Sequence, residues 1–548
     1  MSNIRFVLYL ILLLSMFNCN LDKLPMDQIS DAVFWKKSSD FELASNDFYF
    51  SLMEANQYID MNSDIAYGSG SNDVSDGSYL APVNSDEWDI PWKYIQSTSY
   101  LLRKAEESGL SDMEIGRWKG EAYFFRAYNY WKLIKFYGGV PLITIPLNTS
   151  SDELYTPRST QAEIVDFIFD DLDKAIDMLP LQSGLNNSEL GRVTKGAALA
   201  LKARVALYEG TWQKYHGGTD SEKYLQVAIE SSQAVINSGE YELFCEKGNL
   251  SYKYLHILEG DDSKEVILAR RYYKLRATHN WTRELLLGSM VPTKNLADMY
   301  LCTDGLPIDK SSLFQVFETQ KSEFENRDSR MEQTFVVPGS EIFSEGGGWT
   351  TVEPGFVGNN STRTGYMIRK FMDETLDAVQ FIGEYDFKEF RYAEVLLIFA
   401  EAVYEKNGFI SDDQLNISIN DLRSRANMPP LTNTFVSSHN LNMLEEIRRE
   451  RTVELAFEGY RRDDLRRWGT AVNILPMAIR GVKFMGTEYQ RKFPNLVIGK
   501  DIQVDEDGFI VVQPSTARKF EVPKHWLTPL PLQQVQLSNG TLKQNPGW

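Results

Sequence analysis

Apolar residues recur at helical spacing along two long stretches of this chain, and that pattern predicts a mainly helical fold. The strongest signal is 112–137, where Glu121-Ala-Tyr-Phe-Phe-Arg-Ala-Tyr-Asn-Tyr-Trp-Lys-Leu-Ile-Lys-Phe-Tyr137 is apolar nearly all round. A helix of that kind is buried on more than one side. Gly138 and Gly139 end it, and Pro141 prevents it from resuming. The same periodicity predicts helices over 159–179, 193–210, 221–238, 389–407, 412–427, 441–458 and 460–480, and a shorter one over 40–57. Helices 193–210 and 221–238 read as a hairpin. Small residues stand at its contact positions: Ala197, Ala198, Ala203, Ala206, Ala228 and Ala234.

The intervening segments differ in character. Residues 60–92 are polar and loop-like, and 240–385 are rich in Gly, Thr and Asn, with short β-like runs at 265–270 and 333–337. Residues 485–548 read as strand-poor coil punctuated by Pro523, Pro529, Pro531 and Pro546. The expected fold is all-α in the main. It is a tetratricopeptide-like scaffold of helical pairs, mainly at 93–238 and 389–480, with long irregular loops and a few short strands. Loop-rich insertions at 60–92 and 240–385 would carry any ligand, since long irregular loops in a compact protein are usually functional.

The N-terminus adds a second kind of signal. Arg5 precedes an apolar run from Phe6 to Phe17, and Cys19 is followed at once by polar sequence. That run is shorter than the roughly 20 residues needed to span a bilayer, and it has the layout of a secretory leader. Residues 1–18 are therefore expected to be a signal peptide. Cys19 would be the acylated first residue of a single body, 19–548. The competing reading is an ordinary cut elsewhere, but no Ala-x-Ala pattern precedes a plausible site.

Composition narrows the function. With 43% apolar residues the chain can bury a large core, and its net charge of −19 opposes phosphate backbones, so no nucleic-acid partner is expected. Past the leader only Cys245 and Cys302 remain, too few for a disulfide framework. They could bridge or stay as two buried thiols, and the second reading is preferred. The five histidines, His216, His256, His279, His439 and His525, form no His-Glu-x-x-His pair, so no metal site is expected. Gly191 and Gly196 have phosphate-loop spacing, but Ala197 stands where the lysine must be. No nucleophile elbow is present. Carboxylates are plentiful, yet no pair stands out as a glycosidase acid and base. The charge-rich stretch 447–468 reads as structural. Local pairs such as Arg451 with Glu454 would stabilise two helices divided by Gly459, with Leu455, Phe457, Leu465 and Trp468 on the buried face.

Several ordered segments carry a family resemblance. They are Asp27-Gln-Ile-Ser-Asp-Ala-Val-Phe-Trp35, the stretch from Gly120 to Ile143, and Gly191-Arg-Val-Thr-Lys-Gly-Ala-Ala-Leu-Ala-Leu-Lys-Ala-Arg204. Pro292-Thr and Asp304-Gly-Leu-Pro-Ile308 follow, then Arg391-Tyr-Ala-Glu-Val-Leu-Leu-Ile-Phe-Ala-Glu-Ala402. Arg448-Arg-Glu-Arg-Thr-Val-Glu-Leu-Ala-Phe-Glu-Gly459 and Asn539-Gly-Thr-Leu-Lys-Gln-Asn-Pro-Gly547 complete the set. Together they resemble SusD/RagB-type nutrient-binding outer-membrane lipoproteins of the Bacteroidetes. The residues before Cys19 depart from the usual lipid-attachment pattern. The resemblance implies a cell-surface protein, held at the outer membrane by a lipid anchor. It would capture oligosaccharide and deliver it to a TonB-dependent SusC-like transporter, acting as its lid. It implies no enzyme, no cofactor and no catalytic residue. A peptide-binding member of the same family and a glycoside hydrolase are the alternatives.

The shared motifs lie on scaffold helices, so the ligand site is sought in the loops. Sugar rings stack on aromatic faces, with amides and carboxylates beside them. Loop 65–92 offers Tyr67, Tyr79 and Trp88 beside Asn72 and Asp73; loop 272–290 offers Tyr273 and Trp281; loop 343–363 offers Trp349 and Phe356, with Asn359 and Asn360. Trp92 is assigned to scaffold. At least two of these loops are expected to meet over one shallow groove, while packing competes as the explanation of each aromatic.

Overall fold

The computed structural model describes residues 31, 34–55, 59–314, 316–343, 348–351, 362–375, 379 and 382–548. The leader and Cys19 lie outside the described residues, as do Phe356, Asn359 and Asn360. The scaffold helices are α1 (Ser38–Asn46), α2 (Asp86–Ser108), α3 (Asp112–Tyr137), α4 (Gln161–Met178), α5 (Lys195–His216) and α6 (Ser221–Ser238). They continue as α7 (Tyr392–Asn407), α8 (Met443–Glu454) and α9 (Arg461–Arg467). From α2 to α8 each helix packs against the next, which is the side-by-side stacking of paired-helix repeats. No helix among the described residues is long and apolar enough to cross a membrane.

Local chemistry sets these boundaries. Ser111 and Glu114 form a reciprocal cap at the start of α3, and Thr160 with Glu163 does the same for α4. Gly109, Gly217, Gly239 and Gly408 take positive φ just past the ends of α2, α5, α6 and α7. α3 is buried on nearly every side, with Phe124, Phe125, Tyr130, Leu133, Ile134 and Tyr137 in the core. The hairpin α5–α6 is close-packed: a Cβ on Gly210 would sit 2.8 Å from Leu225 Cγ.

Among the described residues, eight short strands make four two-stranded antiparallel ribbons. β1 (Ala66–Gly68) pairs with β3 (Met290–Pro292), and β2 (Val266–Arg270) pairs with β6 (Phe387–Arg391). β4 (Glu341–Phe343) pairs with β5 (Trp349–Thr351), and β7 (Ile479–Lys483) pairs with β8 (Phe509–Gln513). Several sequence expectations change. In the run 333–337 the first two residues end a short helix, Ser329–Thr334, which Asp328 caps by accepting the Arg330 N–H, and Phe335 makes an isolated antiparallel bridge to Ile368 rather than a full strand. The run 389–407 divides into β6 and α7, and 412–427 divides into Asp412–Asn416 and Ile419–Arg425. The C-terminal segment supplies β8 and the short helix Leu532–Leu537 rather than coil alone. Cys245 and Cys302 are unbridged; Cys302 is buried, but Cys245 is exposed.

The insertions form their own core around Trp281, Tyr300, Phe335, Phe371 and Phe387. A buried ionic network ties that core to the scaffold. Arg391, at the end of β6, donates to Glu454 on α8 at 2.7 Å, to both oxygens of Glu458 at 2.7 Å and to Glu265 at 2.9 Å. Arg425 also reaches Glu265 and Glu454, and Arg330 reaches Glu450 and Glu454. Glu454 is therefore bonded across the fold, not to its neighbour Arg451, whose Nε goes to Asp464 at 2.9 Å. Arg461 likewise holds Asp64 through two bonds. The stretch 447–468 combines these long-range bonds with local pairs, Arg462 with Asp463 and Arg467 with Asp464. Phe457 and Gly459, both at positive φ, turn the chain between α8 and α9. A Cβ on Gly459 would meet Ile59 Cδ1 at 2.9 Å.

Removing one partner of a buried ion network costs about 3–5 kcal/mol, because the opposite charges are left stranded. Arg391→Met should therefore lower unfolding free energy by about that amount in urea titration; a loss under about 1 kcal/mol would contradict a tying role. Asp60 gives a pH signature. It is fully buried and accepts the Gly459 N–H at 3.2 Å. Burial, with Glu458 adding to it, pushes its carboxyl up from 3.8 to about 7. A native-state pKa raised in this way gives stability that is present at low pH and lost as pH rises toward 7. Asp60→Asn should leave the melting temperature little changed near pH 4 and raise it by several degrees at pH 8. An advantage confined to acid pH would reverse that sign.

Candidate functional site

Loop 69–80 is anchored to the C-terminal segment. Asn72 Oδ1 caps a one-turn helix, Asp73–Asp76, by accepting the Val74 and Ser75 N–H groups at 3.1 and 3.0 Å. Asp76 accepts Gln513 Nε2 at 3.0 Å, and Arg518 donates to Ser75 Oγ at 2.8 Å. Gly77 closes the turn at φ +76°, with the Lys519 carbonyl 2.2 Å from where a Cβ would stand. Asn72 is thus occupied by its own backbone, while Asp73 is exposed. Tyr79 is half-buried and edge-on to Trp548, with ring centroids 6.1 Å apart.

Three of the expected sugar platforms are core residues. Trp88 is 4% exposed. The sequence reading placed it in a loop ending at Trp92, but α2 begins at Asp86 and carries Pro91 inside it. Trp88 consequently points into the scaffold, edge-on to Tyr137 at 5.1 Å. Trp281 is 1% exposed, at the start of the short helix Trp281–Leu286, and its ring stacks on Phe371 at 4.1 Å. Tyr67 is buried in β1 with Val291 and Ile479. None of these rings presents a face to a ligand.

Two platforms remain open. Trp349 is 60% exposed on β5, opposite Phe343 on β4. Phe343 stands edge-on to it at 5.7 Å, while the intervening Ile342 points into the insertion core. The alternation of the ribbon therefore buries one side chain and displays the next pair. Tyr273 is 68% exposed at a tight turn whose ends are joined by reciprocal Tyr273–Ala277 backbone bonds of 2.8 and 3.0 Å. The adjoining Tyr272 N–H is held by Asp386 at 2.7 Å, and Leu275 at the tip takes φ +66°. The three loops have separate anchors: the C-terminal segment, Asp386, and the insertion core. Sequence reading missed Phe343, although the alternation in 341–343 ahead of a glycine run was its signal.

Buried acids do not make a reaction centre. Asp386 and Asp373 have carboxyls raised to about 7 and about 6, chiefly by burial, but both are enclosed. A polysaccharide cannot reach either. Among the described residues, no group of three or more His, Cys, Asp or Glu side chains could hold a metal ion.

Comparison with known proteins agrees with this architecture. Residues 264–548, more than half of the chain, match the SusD family, so the chain belongs to that family. Residues 26–207 match a SusD-like family described as starch-binding and associating with the outer membrane. Among relatives, SusD-like protein P38 of Formosa agariphila is 23% identical over 490 residues, covering 82% of this chain and 88% of that protein. The starch-binding protein SusD of Bacteroides thetaiotaomicron is 25% identical over 432 residues, covering 69% of this chain and 70% of that protein. A crystal structure of a SusD-like carbohydrate-binding protein of Bacteroides fragilis superposes with a TM-score of 0.76 at 25% identity. That match covers 93% of this chain and 99% of the other.

The two classes of tryptophan should separate in stability measurements. Trp88→Ala should cost about 3–5 kcal/mol in chemical unfolding, as large-to-small core changes do. Trp349→Ala should stay within about 0.5 kcal/mol of the parent. Equal losses would contradict the assignment.

Proposed function

We propose that this chain is a cell-surface glycan-binding protein that captures oligosaccharide for a TonB-dependent SusC-like transporter, over which it acts as a lid. Acylation at Cys19 would tether the body to the outer membrane. The observation that carries the glycan reading is the rigid, outward-facing Trp349–Phe343 pair, set on a scaffold of the SusD family. An aromatic face held in place on a ribbon loses little freedom when a sugar ring stacks on it. The names borne by relatives support the ligand class: one is a starch-binding protein and another a carbohydrate-binding protein. Tyr273 is proposed as a second platform, with exposed Asp73 as an acceptor for sugar hydroxyls.

Binding without catalysis is the activity assigned. Glycoside hydrolysis needs an acid and a second carboxylate flanking an accessible bond, roughly 5–9.5 Å apart. The carboxyls raised as far as about 6 or 7, Asp60, Asp373 and Asp386, are instead enclosed in the core.

The test is calorimetric titration with a panel of neutral oligosaccharides, starting with maltoheptaose. A glycan that binds the parent should bind Trp349→Ala about tenfold more weakly, the loss of one stacking contact. Unchanged affinity in both Trp349→Ala and Tyr273→Ala would contradict this placement. A panel bound by nothing, with peptides bound instead, would contradict the glycan reading itself.

A further inference from the structure

A second potential site lies within the scaffold. A cleft of about 410 Å3 opens between α3, α5 and the turn before α9, within the usual range for small-molecule sites of about 300–1,000 Å3. Its walls are aromatic: Tyr128, Trp131 and Phe136 from α3, Tyr208 from α5, and Tyr460. Phe50, which is largely exposed, and the first turn of α2, with Asp86 and Glu87, line it too. Those two carboxylates are exposed, which places them at the mouth.

Most charges along this cleft answer one another. Arg204 is held by Glu389 and Glu394, and Arg467 by Glu401 and Asp464. Glu458 is held by Arg391 and Lys370, and Glu54 by Arg270. The donors are what is left over. Among the described residues, the hydroxyl of Tyr208, which is 3% exposed, has no hydrogen-bond partner, and Arg451, also 3% exposed, has none for Nη1. Lys132 donates to the Ser51 carbonyl at 3.0 Å, and no carboxylate lies within 4.0 Å of it among the described residues. Lys135, one turn on, reaches only Asp463, at 3.7 Å. Burial, with Lys135 adding repulsion, brings the Lys132 ammonium down to about 8, against the weaker opposing pull of Glu389 and Glu87. Buried donors with no acceptor are costly and uncommon in native proteins. Two of them, Tyr208 Oη and Arg451 Nη1, beside the two lysines of one aromatic-walled cleft, point to an acceptor-rich ligand.

We propose that this cleft binds the acidic unit of an oligosaccharide, a sugar bearing a carboxylate or sulfate. Its anionic group would take hydrogen bonds from Lys132, Tyr208 and Arg451, with the ring against Phe136 and Trp131. The next sugar would lie at the mouth and donate hydroxyls to Asp86 and Glu87. This site is separate from the Trp349 hairpin; it rests on the glycan-binding reading only for the class of molecule delivered.

Calorimetric titration with three probes tests it: digalacturonate, a sulfated disaccharide, and maltose as the neutral control. Each is titrated into the parent, Lys132→Met, Tyr208→Phe and Trp349→Ala. At least one acidic probe should bind the parent and bind Lys132→Met and Tyr208→Phe about tenfold or more weakly, the loss of one charge-assisted bond. It should bind Trp349→Ala unchanged, and maltose should show no dependence on Lys132. Which acidic probe binds distinguishes carboxylate from sulfate. Tyr208→Phe removes only a hydroxyl without a partner, so its melting temperature should equal or exceed that of the parent, which separates lost affinity from lost folding. Failure of both acidic probes to bind at millimolar concentration overturns the proposal, as does unchanged affinity in both cleft variants. Acidic binding lost only in Trp349→Ala overturns the cleft while leaving the glycan reading intact.

Discussion

Arg391 is fully enclosed, yet three carboxylates converge on it from three parts of the chain. Glu265 comes from just before β2, and Glu454 and Glu458 from the end of α8 and the turn beyond it. Arg391 itself closes β6 and is followed at once by α7. Charges of this kind carry several kcal/mol of desolvation cost each, which only near-complete pairing offsets. The arrangement is therefore intolerant of displacement. It requires the β2–β6 ribbon, α7 and α8 to meet in one register, and the insertion core is seated on the scaffold by the same contacts. A hydrophobic junction would slide more readily, since burial of apolar area is non-directional.

That rigid junction frees the periphery. The β4–β5 ribbon is fixed by Ile342 in the insertion core and displays Trp349 above it. The Tyr273 turn is fixed through Asp386, and loop 69–80 through Gln513 and Arg518. Each loop is held at its base and free in composition at its tip. A family that shares the scaffold can thereby vary its ligand by changing tips alone, which is how function usually attaches to a common fold.

Much of the helical scaffold was legible in the sequence, because apolar periodicity and glycine stops report helices directly. α3 reads as 112–137 and folds as Asp112–Tyr137. The failures have physical causes. Residues 60–92 read as loop from their polar character, but α2 begins at Asp86, so Trp88 lies on a buried turn of helix. Trp281 follows polar Asn280 and looks exposed, but stacking on Phe371, 90 residues later, is invisible to local pattern. Charge in 447–468 reads as local helical pairing; Arg467 with Asp464 fits that rule, but Glu454 takes Arg330, Arg391 and Arg425 from elsewhere in the chain. Lys132 and Lys135, set among the aromatic residues of the last turns of α3, were a visible hint of the cleft.

On the proposed function, exposed Trp349 and Tyr273, and not the buried Trp88 and Trp281, meet the neutral part of a bound glycan. A crystal structure of the protein with a neutral oligosaccharide bound tests it most directly. A sugar ring should lie flat on Trp349, with Phe343 edge-on behind it. A neutral oligosaccharide well ordered at a site touched by neither Trp349 nor Tyr273 would contradict it.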